Sequence, residues 1–454
     1  MSFIEALQAF AFVLMVGFIT YVAVILTSFL RHRANPEGDP ADFDWHVIIP
    51  CRDEETVIEA TLRELTSTFP GLHVWVVDDD SGDKTSDIVS SFSLMNEQVH
   101  LVQRTLPDAR QGKGPALNAG YHALREWLPI TADRSRVIVV VLDADGRLSS
   151  NALRQAASEK VFGRSVVGAA QVAVWMSNRD GRIRIGERSR RKLPFGQRLL
   201  VRVQDIEFRT TIAAMQFFRG STLSVGLGGN GQFTRLTVLD QIAKTSGTPW
   251  HGSLLEDYEL GLHVLLEGYR TVYIHDAHVE QEALTSLRRL IVQRTRWCQG
   301  GMQCVRYLPT ILRSRHFTNA GALETSYFMV QPFVELIGIF VWPTVFIAMI
   351  IGGVSSTGGF LAWIMAVWWL LPLIVITGIL PFAIWPLIYR SRCERMGIIE
   401  TIILCLAYWL YMYQSYIVVV RAALRIVRGQ NGWSKTRRNN ETQISTQMQQ
   451  GVLQ

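Results

Sequence analysis

Residues Leu7 to Leu30 form an uncharged apolar run of 24 residues. A bilayer core needs about 20 residues of helix to cross it, so this run has few places to go but a membrane. Arg31, His32 and Arg33 follow directly. A cleaved leader carries a basic start and a small-residue cleavage site, whereas here Glu5 leads. The expectation is a retained anchor over residues 1–33 with its basic end in the cytoplasm. A second apolar block begins near 326. Ser326 to Ile351 is apolar apart from Glu335, and a carboxylate at that depth is expected to face protein or water rather than lipid. Phe360 to Tyr389 is uncharged but broken by Pro372, Pro381 and Pro386, and Arg390, Arg392 and Arg395 come after it. A third stretch runs from Ile398 to Val420, followed by a basic tail with Arg421, Arg425, Arg428, Lys435, Arg437 and Arg438. If each stretch crossed once, the tail would end outside, against the positive-inside rule. Either the proline-broken stretch is a pair of passes, or one stretch is re-entrant or interfacial. A cytoplasmic tail is expected.

The remaining chain divides into 44–300, which mixes charges of both signs, and 301–325, a basic amphipathic link. In the link Leu308, Ile311, Leu312 and Phe317 alternate with Arg306, Arg313 and Arg315, which suits a helix lying on a bilayer surface. Residues 326–420 then form the membrane region and 421–454 the tail. Hydrophobic residues at 48% and charged residues at 19% disfavour disorder. Five cysteines without a C-x-x-C pair imply reduced thiols rather than a disulfide framework or zinc site. The positive charge gathers at membrane borders, so nucleic acid is not an expected partner.

Within 44–300, His46 to Pro50, His73 to Val77 and Val137 to Leu142 read as buried strands alternating with helices. That pattern predicts an α/β domain with a mostly parallel, covered sheet. Ligands of such sheets sit beyond the carboxyl ends of the strands. Two acidic clusters fall there: Asp78-Asp79-Asp80-Ser81-Gly82 and Asp143-Ala144-Asp145-Gly146. Paired carboxylates at a strand end suit Mg2+ or Mn2+ shared with a phosphate ligand, which assigns Asp143 and Asp145 to metal. No Walker lysine loop is present and no G-x-G-x-x-G follows the first strand, which excludes a P-loop NTPase and a dinucleotide dehydrogenase. Lys113, flanked by glycines, can meet phosphate or a base edge. Gly228-Gly229-Asn230-Gly231 admits close backbone approach to a ligand. Glu256 and Asp257 open a helix, and Gln293-Arg294-Thr295-Arg296-Trp297 brings an arginine fork for a diphosphate together with an aromatic face for a sugar.

In this order the residues resemble the membrane-embedded family-2 glycosyltransferases, which include the synthases of cellulose, hyaluronan, chitin oligosaccharide and poly-N-acetylglucosamine. The resemblance covers about 44–300. It implies a GT-A-like α/β domain in the cytosol joined to an α-helical transmembrane region, in a multi-pass protein of the cell membrane. Carried over, Asp53, Asp78, Asp79, Lys113, Asp143, Gln293 and Arg296 bind the nucleotide-sugar, and Asp143 and Asp145 meet the metal. Asp257 acts as general base beside Glu256, and Trp297, Gly229 and Asn230 meet the acceptor. The family's Pro-x-x-Asn-Glu-Glu stands here as Pro50-Cys51-Arg52-Asp53-Glu54-Glu55, and no carboxylate is lost. The basic run Arg182 to Lys192 has no counterpart and is expected to be a solvated or headgroup-facing loop. The implied reaction is an inverting hexosyl or N-acetylhexosaminyl transfer from UDP-glucose or UDP-N-acetylglucosamine to a growing β-linked polysaccharide, coupled to export. The alternatives are addition of one sugar to a lipid acceptor, and a catalytically dead nucleotide-sugar sensor. Trp409, Tyr413 and Tyr416 share one helical face and are the expected lining of a glycan passage.

Overall fold

The computed structural model describes residues 3–185, 189–355, 359–368, 370–430 and 432. Ten strands occur among them: β1 Asp44–Cys51, β2 His73–Asp79, β3 Val99–Arg104, β4 Val137–Val141, β5 Arg147–Leu148, β6 Val167–Met176, β7 Arg182–Ile185, β8 Ser189–Lys192, β9 Gln232–Arg235 and β10 Arg270–Gln281. Eight of them build one sheet in the order β3-β2-β1-β4-β9-β6-β10-β5. Pairings β3-β2, β2-β1, β1-β4 and β6-β10 are parallel, and β9 runs antiparallel between β4 and β6. The carboxyl ends of β1, β2 and β4 therefore share one edge.

The sheet is covered on both faces, as the unbroken Val-Ile-Val-Val-Val of β4 requires. Alternate β4 residues enter different cores. Ile138 and Val140 pack with Ile58, Leu62 and Leu65 of helix Ile58–Thr68. Val137, Val139 and Val141 pack with Leu117, Tyr121 and Leu124 of helix Lys113–Trp127. That second helix lies close to the sheet at Gly120, where a Cβ would sit 2.7 Å from the Ile48 side chain. The helix thereby holds its first residue, Lys113, over the carboxyl edge.

Among the described residues, three helices are long and apolar enough to cross a membrane: Phe3–Leu30, Asn319–Val354 and Ile398–Val427, the last interrupted at Tyr413. The proline-broken stretch is not one span. It forms Gly359–Val367, Leu370–Gly378 and Leu380–Arg392, with Pro381 at the start of the third. The link before Asn319 includes the helix Leu308–Arg313, whose Ile311 is buried with Tyr258 and Leu262 of the α/β domain while Leu312 stays exposed. Arg306 pairs with Glu259. The following helix starts with a Thr318 cap that accepts from Gly321 N at 2.9 Å. Within the basic run, Arg182–Ile185 and Ser189–Lys192 pair as the antiparallel strands β7 and β8. Lys435, Arg437 and Arg438 of the tail lie outside the described residues.

Polar ties join the apolar helices to the α/β domain. Arg219 Nε donates to Glu324 Oε1 at 2.7 Å with both side chains buried, and Glu324 belongs to the long helix Asn319–Val354. Removing one partner of a buried pair leaves an uncompensated charge and costs about 3–5 kcal/mol. Glu324→Ala is expected to lower unfolding stability in detergent by that order. The double change Arg219→Met with Glu324→Leu should recover most of it, because the buried charge is then gone.

Candidate active site

A cavity of about 640 Å3 opens at the carboxyl edge of β1, β2 and β4. Pockets of about 300–1,000 Å3 are typical for small molecules. Of the residues assigned from sequence to catalysis, nucleotide-sugar, acceptor sugar or metal, all but Asp53 and Asp78 line it. Lys113 lies at the centre of this lining. Its Nζ donates to Asp143 Oδ1 and to the Gly229 carbonyl, each at 2.6 Å. Burial alone would lower the affinity of the ammonium for its proton. The carboxylates of Asp143, Glu256 and Asp257 reverse that and hold it above the ordinary lysine value. Gly229 stands close to the charged cluster, since a Cβ there would lie 3.0 Å from both Asp257 Oδ2 and Lys113 Nζ and would press on both. Asn230 braces the site. Its Oδ1 accepts from Asp143 N at 3.1 Å and its Nδ2 donates to Gln281 Oε1 at 3.1 Å.

Glu256 and Asp257 begin helix Glu256–Leu266 and are both buried. Burial raises the Asp257 carboxyl well above the usual carboxylate range, and the neighbouring Glu256 charge adds to this. Burial raises Glu256 as well. Asp257 Oδ1 accepts from Tyr258 N at 2.6 Å, which fixes its rotamer with Oδ2 towards Gly229. A carboxylate tuned upwards and aimed into a cleft is suited to accept a proton near neutral pH.

Helix Leu287–Gln303 contributes Gln293, Arg296 and Trp297. Arg294 of the same helix does different work. Arg294 donates to Glu207 Oε2 at 2.6 Å and lies 4.6 Å over the Trp297 ring, and Phe208 meets that ring edge-on at 6.3 Å. Glu207 and Phe208 stand in a π-helical turn, Glu207–Ile212, a local widening often found at functional sites.

The two exceptions have a geometric cause. Successive strand residues point to opposite faces, so Asp78 and Asp79 cannot both face the crevice. Asp79 lines the cavity and is gripped by Arg104. Asp78 turns away and accepts from Ser81 N at 3.3 Å. Asp53, at φ +54°, accepts from Gly82 N at 2.8 Å and donates its own N–H to Ser81 Oγ at 2.9 Å, stitching the turn after β1 to the turn after β2. The buried Glu54, not Asp53, reaches the lining. Neither Arg104, Glu54 nor the π-helical turn carried a sequence signal strong enough to single out.

Among the described residues no group of three or more His, Cys, Asp or Glu side chains is arranged as a metal cage. Asp143 and Asp145 offer the hard oxygens a divalent cation prefers, and ligand phosphate oxygens would complete such a shell. With Asp143 bound to Lys113, Asp145 is the better-placed of the two to hold it.

On the far side the lining comes from the apolar helices: Phe328, Gln331, Pro332 and Glu335 of Asn319–Val354, and Met412, Gln414, Ser415 and Val418 of Ile398–Val427. Glu335 faces this cavity, as its charge demanded. Trp409, Tyr413 and Tyr416 do not line it. Trp409 Nε1 instead donates to the Gly378 carbonyl at 3.0 Å, and its ring meets Tyr413 edge-on at 5.6 Å. The three rings contact one another along their own helix, with Tyr413 exposed, and form no wall of this cavity.

Residues 42–300, more than half of the chain, match the family model described as glycosyltransferase like family 2. This chain belongs to that family. A β-monoglucosyldiacylglycerol synthase of Trichormus variabilis is 28% identical over 276 residues, 59% of this chain and 51% of the relative. A Synechocystis protein of the same name is 28% identical over 58% of this chain and 48% of its own length. The chain thus spans about half the length of these relatives. The probable glycosyltransferase YdaM of Bacillus subtilis is 24% identical over 87% of both chains. Among solved structures, mannosyltransferase PcManGT from Pyrobaculum calidifontis, in complex with GDP-Man and Mn2+, has a TM-score of 0.55. It is 16% identical and covers 94% of this chain and 99% of that one, a likeness of fold.

The geometry of Asp257 sets an expectation for kinetics. Asp257→Asn should cut turnover by about 10²–10⁴-fold, the usual worth of a positioned base. A base must be deprotonated to act, and this one is raised, so the wild-type rate should fall on acidification in a limb displaced above the usual carboxylate range of about 4. The acid limb of kcat/KM checks this, and it should vanish in the variant.

Proposed function

We propose that this chain transfers one hexosyl residue from a nucleotide-sugar, with inversion, to the hydroxyl of a membrane lipid. The observation that carries the reading is the composition of the cavity. One wall holds the carboxylates and Lys113 at the sheet edge, and the opposite wall consists of helices long and apolar enough to span a bilayer. An acceptor whose tails stay in lipid can bring its hydroxyl to Asp257 from that side. The relatives named β-monoglucosyldiacylglycerol synthases support glucose as the sugar and diacylglycerol as the acceptor. Extension of a polysaccharide has less support, because the aromatic face that would guide a polymer lies outside the cavity.

The donor is proposed to be UDP-glucose, with UDP-N-acetylglucosamine next. Asp79, held by Arg104, is positioned to meet the base, and Arg296 to meet the diphosphate as charge develops on it. A divalent cation, Mg2+ or Mn2+, would sit on Asp145 with Asp143 and supply further charge stabilisation to the leaving diphosphate. Asp257 takes the proton of the acceptor hydroxyl while that oxygen attacks the anomeric carbon and the C–O bond to diphosphate breaks. One base with no second nucleophile gives a single displacement, so an α-linked donor yields a β-linked product. Trp297, fixed by Arg294 and Phe208, offers a face for the sugar. The α/β domain is proposed to stand on the cytoplasmic side of a multi-pass protein, because Arg31 and Arg33 flank the first span.

Purified protein in liposomes, offered UDP-glucose, UDP-N-acetylglucosamine and GDP-mannose with and without diacylglycerol, tests the proposal. One donor should give a glycolipid carrying a single hexose, only with lipid acceptor, and chelation of divalent cations should abolish it. Polymer formed without added lipid would overturn it.

A further inference from the structure

Glu335 and Gln331 stand one turn apart on the long apolar helix, and both face the catalytic cavity. Gln331 Nε2 donates to Glu335 Oε1 at 3.1 Å, and Ser415 of the facing helix hydrogen-bonds the same carboxylate. A carboxyl group within an apolar spanning helix is costly and marks function by default. Its named partners here are a neutral amide and a neutral hydroxyl. The cations on this side of the cavity have carboxylates of their own: Arg219 holds Glu324 at 2.7 Å and Arg294 holds Glu207 at 2.6 Å. Glu335 therefore presents to the cavity, from an apolar helix, a carboxylate whose hydrogen-bonding neighbours are neutral.

We propose that Glu335, set by Gln331 and Ser415, is the specificity-determining group for the lipid acceptor: it admits an uncharged hydroxyl-bearing headgroup and excludes anionic phospholipids. The proposal rests on the lipid-acceptor reading above. The physical need is plain. A site open to a bilayer meets phospholipids in large excess over any uncharged diacyl lipid, and many carry hydroxyls. Tail contacts cannot separate lipids that share the same tails, and hydroxyl hydrogen bonding alone cannot separate headgroups that both offer it. Charge can. A carboxylate accepts a hydrogen bond from a neutral headgroup hydroxyl and repels a phosphate, and like-charge juxtaposition is among the stronger means of rejecting a wrong partner. Attraction and exclusion then come from one side chain.

The test compares two probes that share their tails. Diacylglycerol is neutral with one hydroxyl. Phosphatidylglycerol carries headgroup hydroxyls and an anionic phosphate. Wild-type, Glu335→Gln and Glu335→Asp proteins are each assayed in liposomes containing both lipids, and the ratio of the two glycosylated products is measured. The ratio is read within one preparation, so any loss of folded protein cancels. Wild type should modify diacylglycerol almost alone. Glu335→Gln should raise the phosphatidylglycerol share by at least about tenfold, since removing a repulsion of only modest size is worth that factor. Glu335→Asp should keep the wild-type ratio. A Glu335→Gln ratio equal to that of wild type overturns the proposal. So does a wild-type protein that modifies both lipids equally, which decides the matter even if the glutamine variant does not fold. A wild-type protein that modifies no lipid instead overturns the acceptor reading itself.

Discussion

The site depends on one buried ammonium. Lys113 joins the end of β4, through Asp143, to the glycine turn before β9, through the Gly229 carbonyl. It does so within a cavity lined by Asp79, Asp143, Asp145, Glu256 and Asp257. That many carboxylates in a low-dielectric cleft would repel one another and take up protons. A central cation offsets that repulsion and keeps the turn closed, and it leaves Asp257 raised by burial and by Glu256. The close packing of Gly120 on Ile48 fixes the helix that delivers Lys113. Packing and electrostatics therefore meet in one residue.

A second constraint is the seam between the α/β domain and the apolar helices. It is apolar at the centre, where Ile25 and Phe29 meet Ile206, Trp385 and Tyr408. Polar ties then fix its register. Tyr411 donates to Glu207 at 2.7 Å while Arg294 donates to the same carboxylate at 2.6 Å. Tyr389 donates to Asp205 at 2.5 Å and Arg202 to Glu394 at 2.7 Å. Glu207 adjoins Phe208, which abuts Trp297, so the seam and this cavity-lining aromatic are mechanically continuous. The cavity is thereby held against the membrane helices as part of one packed structure. That arrangement is what makes a lipid acceptor the economical reading.

Much of this was legible in the chain itself. The valine-rich β4 announced a doubly covered sheet, and carboxylates at strand ends pointed to the crevice, because strand direction alone decides where such residues lie. Lys113, Asp143, Asp257 and Arg296 stand together at one cavity. Three things were not legible. Asp53 and Asp78 could not be told from Glu54 and Asp79, because a positive φ at Asp53 and the strand's alternation decide which carboxylate faces inward. The sheet's antiparallel β9 arises from long-range pairing that no local pattern encodes. The face of Trp409, Tyr413 and Tyr416 has the right period for a lining, but helical period does not reveal what a face is packed against.

The central claim is that the acceptor reaches Asp257 from the membrane side, between the helices Asn319–Val354 and Ile398–Val427. Photocrosslinking in liposomes with a diacylglycerol that carries a reactive group near its hydroxyl, followed by peptide mapping, measures this directly. The account predicts label on residues 328–335 and 412–418, competed by unlabelled diacylglycerol. Label confined to strands β7 and β8 or to the face of Trp409, Tyr413 and Tyr416 would contradict it.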